Sequence, residues 1–185
     1  MAGPYRIEGF AIVSADDMIA DAQGLQPDAL RLAADQRFLF EMLDKATALA
    51  HGRYSGEGGP TAARRHRLIL TRSIAGIAPV PQNDKAVLWN PAGVPLRAAW
   101  DALGLSGGLL AVIGGTDAFG LFLDLGYDAF HLSRAAHARL PGGRPVFPGI
   151  PPRMAEELLA QARLRPDPVR VLDASAGLDL VTWRR

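Results

Sequence analysis

The chain has 185 residues, a length typical of one domain, and 49% of them are hydrophobic, so a sizeable core is expected. Its 20 basic and 19 acidic residues leave a formal net charge of +1, which favours neither nucleic acid nor an anionic membrane as a partner. The sequence contains no cysteine, which excludes disulfides, thiolate nucleophiles and Cys-ligated zinc. We expect no secretory signal and no membrane span, and therefore a cytoplasmic protein.

Taken in chain order, the first half of the sequence predicts four strands and two helices. Short apolar runs that end at polar or turn residues predict the strands, and apolar residues spaced three and four apart predict the helices. Asp28 is expected to cap the first helix, and Pro95 to lie at the start of the second. The predicted order is strand 9–14, loop 20–27, helix 28–43, strand 46–51, strand 68–71, strand 86–89 and helix 95–103.

The second half continues the alternation of strands and helices. Its predicted order is strand 109–113, helix 117–125, strand 128–133, a Pro/Gly-rich stretch at 140–152, helix 154–163, strand 169–172 and strand 178–183. This pattern favours an α/β fold with a mostly parallel central sheet, flanking helices and a C-terminal antiparallel hairpin. No long linker divides the sequence, so residues 1–185 are predicted to form a single domain.

The most informative segment is the turn at Gly114 and Gly115. An apolar strand stops at these two glycines, and an amphipathic helix follows directly. Without Cβ atoms the backbone can approach a phosphate group, and the N–H groups at the helix start present the positive end of the helix dipole to it. The same turn can also serve only to pack a helix closely, so the pattern alone leaves both interpretations open.

Four segments in a fixed order carry a resemblance to a known family. They are FAIVSADDMIA at 10–20, RLILTRS at 67–73, VIGGTDAFGLFL at 112–123, and HLSR at 131–134 followed by PGGRPVFP at 141–148. By these segments the chain resembles the dihydrofolate reductase family, which includes dihydropterin reductases such as dihydromethanopterin reductase and is similar to the reductase domain of riboflavin-pathway enzymes. The resemblance implies a dihydrofolate reductase-like fold, NADPH as hydride donor and a pterin-like small molecule as acceptor.

The resemblance implies a cofactor half of the site around the glycine turn. Residues 14–26 would form a mobile loop over the nicotinamide, and the peptide bond between Gly114 and Gly115 would be cis. Arg53 and Arg72 would bind a 2′-phosphate, unless they are ordinary surface arginines. The implied cofactor-binding residues are Ala11, Ile19, Gly52, Arg53, Tyr54, Ser55, Thr71, Arg72, Ile113, Gly114, Gly115, Thr116, Asp117, Ala118 and Phe119.

The resemblance also implies an acceptor half around a buried acid. Asp35 best matches the family's acidic residue, whose carboxylate accepts hydrogen bonds from the pterin edge and helps to deliver a proton. In a semi-apolar pocket its pKa should rise. Asp28 is a rival for this role, and Asp35 can also be an ordinary exposed helix residue. The implied substrate-binding residues are Ile12, Phe38, Ser133 behind the acid, and Arg65 as the anchor of a tail carboxylate.

Departures from the family pattern leave the acceptor open. The Pro-Trp-x-Leu-Pro stretch that precedes the acid in folate enzymes is replaced here by Gln-Pro-Asp-Ala-Leu at 26–30, which predicts a reshaped pocket. The leading hypothesis is an NADPH-dependent oxidoreductase that reduces dihydrofolate or dihydromethanopterin to the tetrahydro form. The alternatives are a reductase of a ribosylamino-pyrimidine in riboflavin biosynthesis and a non-catalytic nucleotide-binding relative.

The four histidines, at 51, 66, 131 and 137, show no metal-ligand spacing, so we expect no metal and a structural or surface role for each. The expected partner is a small molecule rather than a nucleic acid or a membrane. We expect the protein to be a monomer or a homodimer.

Overall fold

The computed structural model describes residues 5–56 and 61–185, which form twelve β-strands and four α-helices. The strands are β1 Tyr5–Ser14, β2 Met18–Ala20, β3 Ala48–Gly52, β4 His66–Leu70, β5 Ile77–Val80, β6 Asn83–Trp89, β7 Gly108–Gly114, β8 Ala129–Ala135, β9 Arg144–Pro145, β10 Arg165–Pro166, β11 Arg170–Asp173 and β12 Leu178–Arg184. The helices are α1 Ala33–Leu43, α2 Leu96–Ala102, α3 Thr116–Leu125 and α4 Ala155–Gln161.

One ten-stranded sheet runs through the described residues in the order β10-β12-β8-β1-β7-β3-β4-β6-β5, with β11 attached to β12. The six strands from β8 to β6 are parallel to one another. By contrast, β12 is antiparallel to β8 and forms an antiparallel hairpin with β11. The predicted α/β architecture, with a mostly parallel sheet and a C-terminal hairpin, is therefore confirmed.

The two faces of the sheet are covered by different helices. Alternate side chains of a strand point to opposite faces. On β7, Ala111 packs in a cluster with Leu43 of α1, whereas Leu110 and Val112 pack in a larger cluster with Phe119 of α3. Each large apolar side chain that is fully buried in this way contributes about 1.5–3 kcal/mol. The central strands therefore form a rigid platform with α1 on one face and α3 on the other.

Several elements differ from the sequence prediction, among them the short strands β2, β9 and β10, which were not predicted. Asp28 does not cap α1, because it begins a separate one-turn 3-10 helix, and Arg31, with φ −93° and ψ 56°, breaks the chain direction before α1 starts after Leu32. The exposed Asp28 carboxylate instead pairs with Arg31 at 3.2 Å. Strand β5 was not predicted, since Pro79 within it removes a backbone donor and is tolerated on an edge strand.

The parallel strands bring several loops together at one edge of the sheet. The carboxyl ends of β3, β4 and β7 meet there at Gly52, Leu70 and Gly114, and the amino ends of the same strands lie at the opposite edge. Ligands of parallel α/β sheets bind at the carboxyl edge. No helix in the described part of the chain is both long and apolar enough to span a bilayer.

Candidate active site

A cavity of about 420 Å³ opens between α1, the turn after β2 and the carboxyl ends of β3 and β7. The predicted residues that line it are Ala11, Ile12, Ile19, Asp35, Phe38, Tyr54, Ser55, Ile113, Gly114, Gly115, Phe119 and Ser133. The predicted residues that flank it, at the ends of β3 and β4 and on the first turn of α3, are Gly52, Arg53, Thr71, Arg72, Thr116, Asp117 and Ala118. The fold thus brings residues from both proposed halves to one cavity.

Asp35 is a buried acid in the wall of this cavity. It lies on the first turns of α1, and only 7% of its surface is exposed. Burial raises the pKa of its carboxyl group above the ordinary value, and a hydrogen bond with the Ser133 hydroxyl lowers it by less. Ser133 on β8 is paired in register with Ile12 on β1, so both belong to the floor beneath Asp35. The rival Asp28 is outside the cavity lining.

The glycine turn forms the opposite end of the cavity. Gly115 precedes α3 with φ 87°, a conformation that side-chain-bearing residues rarely adopt, and no side chain caps the helix there. A Cβ atom on Gly115 would lie 3.3 Å from Ser55 Oγ and 3.9 Å from Gly52 Cα, so the turns after β3 and β7 face each other closely. No side chain of the described residues caps the first N–H groups of α3, and a side chain at Gly115 would lie in the gap between the two turns.

The expectation of a cis bond between Gly114 and Gly115 is wrong. In the described part of the chain the cis peptide bonds are Ile150–Pro151 and Pro151–Pro152. The bond between Gly114 and Gly115 is trans, the ordinary state of a bond that does not precede proline, and the turn is made with Gly115 at a φ of 87°.

Polar side chains surround the outer end of the glycine turn. The Arg53 guanidinium donates hydrogen bonds to Thr71 Oγ1 at 3.0 Å and to Ser73 Oγ at 2.6 Å. The exposed Arg72 forms an ion pair with Asp117 on the first turn of α3, with 3.3 Å between nitrogen and oxygen. Arg72 thus lies beside the start of α3, and Arg53 is held against the residues that follow β4.

The side chains of Thr116 and Ala118, two predicted site residues on α3, pack or bond within the protein. The Thr116 hydroxyl donates a hydrogen bond to the Pro145 carbonyl at 2.5 Å, which ties the start of α3 to β9. Ala118 is buried, with 2% of its surface exposed. The side chains of both residues are thus used within the protein.

The segment 14–26, predicted to form one mobile loop, includes strand β2 and hydrogen bonds to the rest of the protein. The buried Asp17 carboxylate accepts hydrogen bonds from Arg134 Nη2 at 2.6 Å and from the Ala155 backbone N–H at 3.0 Å. Strand β2 pairs with β9, and the Ser14 hydroxyl accepts a hydrogen bond from the Met18 N–H at 3.0 Å. Residues 14–20 are therefore tied to the body of the protein by hydrogen bonds, whereas residues 21–27 form the turn that borders the cavity.

The turn at 21–25 is held together by its own acid. The Asp21 carboxylate accepts hydrogen bonds from the backbone N–H groups of Gln23 at 2.9 Å and Leu25 at 2.8 Å. Gly24 and Leu25 line the cavity, and the Arg144 guanidinium lies against Gly24, since a Cβ there would be 2.6 Å from Arg144 Cζ. The turn is thus a small preformed cover for the cavity.

Arg65, the predicted anchor of a substrate tail, is not brought into the site. Its largely buried guanidinium lies 2.7 Å from Asp44 Oδ1. Arg65 directly precedes β4, so it lies at the amino edge of the parallel sheet, whereas the cavity is at the carboxyl edge. Because the strands are parallel, Arg65 and the cavity lie at opposite edges of the sheet, and the prediction that Arg65 anchors a substrate tail in the site is wrong.

His131 lines the cavity although a structural or surface role was expected for it. Its Nε2 lies 3.1 Å from Glu8 Oε2, its Nδ1 lies 3.0 Å from Thr182 Oγ1, and its ring stacks on Phe10 with 4.6 Å between centroids. The hydrogen bond with His131 lowers the pKa of the buried Glu8, against the effect of burial. The signal that sequence reasoning missed is the spacing of two between His131 and Ser133, which puts both on one face of β8.

No protein-family model matches the chain, and no curated protein matches its sequence. Solved structures do match it. A protein of Shewanella sp. PV-4 assigned provisionally to riboflavin biosynthesis is 22% identical with a TM-score of 0.66, over 97% of this chain and 98% of that one. A pyrimidine reductase-like protein of Corynebacterium diphtheriae is 16% identical with a TM-score of 0.65, over 97% and 91% of the two chains.

Dihydrofolate reductase of Enterococcus faecalis, solved with NADP(H) and an inhibitor named RAB-propyl, is 14% identical with a TM-score of 0.63, over 97% and 96% of the two chains. These similarities extend over almost the whole length of each protein. The chain therefore has the dihydrofolate reductase fold, and the resemblance inferred from the four sequence segments is confirmed at the level of the fold.

Proposed function

We propose that the protein is an NADPH-dependent reductase that transfers a hydride to a dihydropterin and gives the tetrahydro form. The observation that carries the proposal is the position of Asp35, a buried acid, across one cavity from the Gly114–Gly115 turn. A perturbed carboxyl group that shares a cleft with a glycine turn at the start of a helix is the combination expected of a dinucleotide-dependent reductase site.

The cofactor half is supported by the fit between the turn and a pyrophosphate. The open N–H groups at the start of α3 would bind its oxygens, and the lack of a side chain at Gly115 leaves room for them. Arg53 and Arg72 would bind a 2′-phosphate, and Ala11 and Ile19 would form the apolar wall against the nicotinamide. NADPH, when bound, supplies the hydride.

The acceptor half is supported by the surroundings of Asp35. Its two carboxylate oxygens can accept hydrogen bonds from a ring N–H and the neighbouring amino group, the amidine-like edge that pterins present. Because burial raises the pKa of Asp35, the carboxyl group keeps a proton at higher pH than an exposed aspartate does. It can thus deliver that proton toward the acceptor, while Ser133 orients the carboxyl group and Phe38 excludes water.

Reduction of a ribosylamino-pyrimidine is the second candidate. It is favoured by the two matching structures named for riboflavin biosynthesis and pyrimidine reduction, which have the higher TM-scores of the three compared. A pyrimidine can present the same N–H and amino edge to Asp35, so the acid alone does not separate the two acceptors.

The test is a spectrophotometric screen of NADPH oxidation with dihydrofolate, dihydromethanopterin and the ribosylamino-pyrimidine. We expect turnover with a dihydropterin and a loss of kcat of about 10²-fold or more in Asp35→Asn, with NADPH binding retained. Turnover with the pyrimidine alone would establish the second candidate. Binding of NADPH without turnover of any acceptor would identify a non-catalytic nucleotide-binding protein and refute the proposal.

A further inference from the structure

The acceptor half of the cavity has an apolar wall around one acid. Leu25, Leu30, Phe38 and Leu39 line it together with Asp35, and the polar side chains beside them, Gln26 and Gln36, are uncharged. Among the described residues of the lining, Asp35 is the sole carboxyl-bearing side chain and His131 the sole basic one. Both nitrogens of His131 already have partners, Glu8 at 3.1 Å and Thr182 at 3.0 Å.

The arginines of this region have partners outside that wall. Arg31 pairs with the exposed Asp28, and Arg37 of α1 interacts electrostatically with Asp173. Arg65 is held by Asp44 at the other edge of the sheet, and Arg53 by two hydroxyl groups at the cofactor end. Arg72 is paired with Asp117, and Arg144 lies against the backbone of the 21–25 turn. Residues 57–60, which follow the cavity-lining Gly56, have the sequence Glu-Gly-Gly-Pro and include no basic residue.

We propose that the acceptor presents an amidine-like edge to Asp35 and carries no phosphate or carboxylate inside the cavity. This inference rests on the proposed function and narrows its substrate class. An anionic tail placed against Leu25, Leu30 and Leu39 would lose hydration without gaining a cationic partner, and it would be repelled by an ionised Asp35. An uncharged substituent would instead gain from contact with the same apolar side chains.

The test compares ligands that differ only in the charged part. Calorimetry on the full chain measures the Kd of the dimethyl ester of 7,8-dihydrofolate against 7,8-dihydrofolate itself, and of the ribosylamino-pyrimidine with and without its 5′-phosphate. We expect each uncharged ligand to bind at least as tightly as its charged counterpart, and added salt not to weaken binding of the charged ligand. Arg144→Gln, which removes the cation nearest the 21–25 turn, should leave both ratios unchanged.

Preference for a charged ligand by tenfold or more overturns the inference, and loss of that preference in Arg144→Gln would assign the tail to this arginine. Failure of all four ligands to bind overturns it as well. Failure of the proposed function would look different. In that case NADPH would not bind or would not be oxidised, while the Kd ratios of the four ligands could still be measured.

Discussion

Substitution of Gly115 by alanine tests the glycine turn directly. At φ 87° an alanine is strained, which costs about 1–3 kcal/mol. For a chain of this size each kcal/mol lowers Tm by about 2–4 °C, so Tm should fall by roughly 2–12 °C. The new Cβ would also lie 3.3 Å from Ser55 Oγ, in the gap where we place the pyrophosphate.

The effect on cofactor binding should exceed what strain alone explains. Loss of one charge-assisted hydrogen bond between a backbone N–H and the pyrophosphate is worth about 1.5–3 kcal/mol. The Kd for NADPH, measured by calorimetry or by quenching of protein fluorescence, should therefore rise roughly 10- to 100-fold in Gly115→Ala.

Gly104 provides a matched control. It also has a positive φ, +70°, but a Cβ added there would meet no atom within 4 Å. Gly104→Ala should lower Tm by roughly 2–8 °C and leave the Kd for NADPH unchanged. If both variants lose stability and both bind NADPH as the parent protein does, the turn serves only to pack α3 and the pyrophosphate assignment is refuted.

Three further predictions concern buried charges. Because the folded state raises the pKa of Asp35, its ionised form destabilises the protein above that pKa. Asp35→Asn should therefore increase the free energy of unfolding at pH 7 by about 0.5–2 kcal/mol and raise Tm, even as turnover is lost. A lower Tm would contradict this. The pKa of Glu8 is lowered in the folded state, so its contribution to stability is present above the ordinary value of 4.5 and is lost as the pH falls through its folded-state pKa. Glu8→Gln and His131→Phe should each make the free energy of unfolding depend less on pH in that range. Unaltered pH profiles would refute the role of the pair. Arg65→Gln should destabilise the protein by about 1–3 kcal/mol in denaturant titrations and change kcat/KM for the acceptor less than twofold, whereas a raised KM for tail-bearing acceptors alone would restore the anchor role.

The parts of the site that could be predicted from sequence are those whose signal is local or carried by the family resemblance. Gly114 and Gly115 are predictable because two glycines between an apolar strand and a helix require a special turn, and the structure places them there. Asp35 was inferred from the resemblance, and its burial agrees with the expected surroundings. The sheet was predictable because buried parallel strands are short continuous apolar runs.

The parts that could not be predicted depend on distant residues. Glu8 and His131 are 123 positions apart, and only the register of β1 beside β8 brings them together. Arg65 lies in a basic run whose place at the amino edge follows from the direction of β4, which no local pattern contains. The start of α1 was misplaced because Asp28 has the residue type of a cap but begins a separate turn.

The hydrogen bonds that Asp21 makes across the 21–25 turn have a consequence for how ligands enter and leave. A disordered loop that closes over a cavity loses the conformational freedom of each of its residues, about 1–2 kcal/mol of backbone entropy per residue at room temperature. Here the N–H groups of Gln23 and Leu25 are already bound to Asp21, so most of that ordering is complete before any ligand arrives. Little of a ligand's binding energy is therefore consumed in folding this turn.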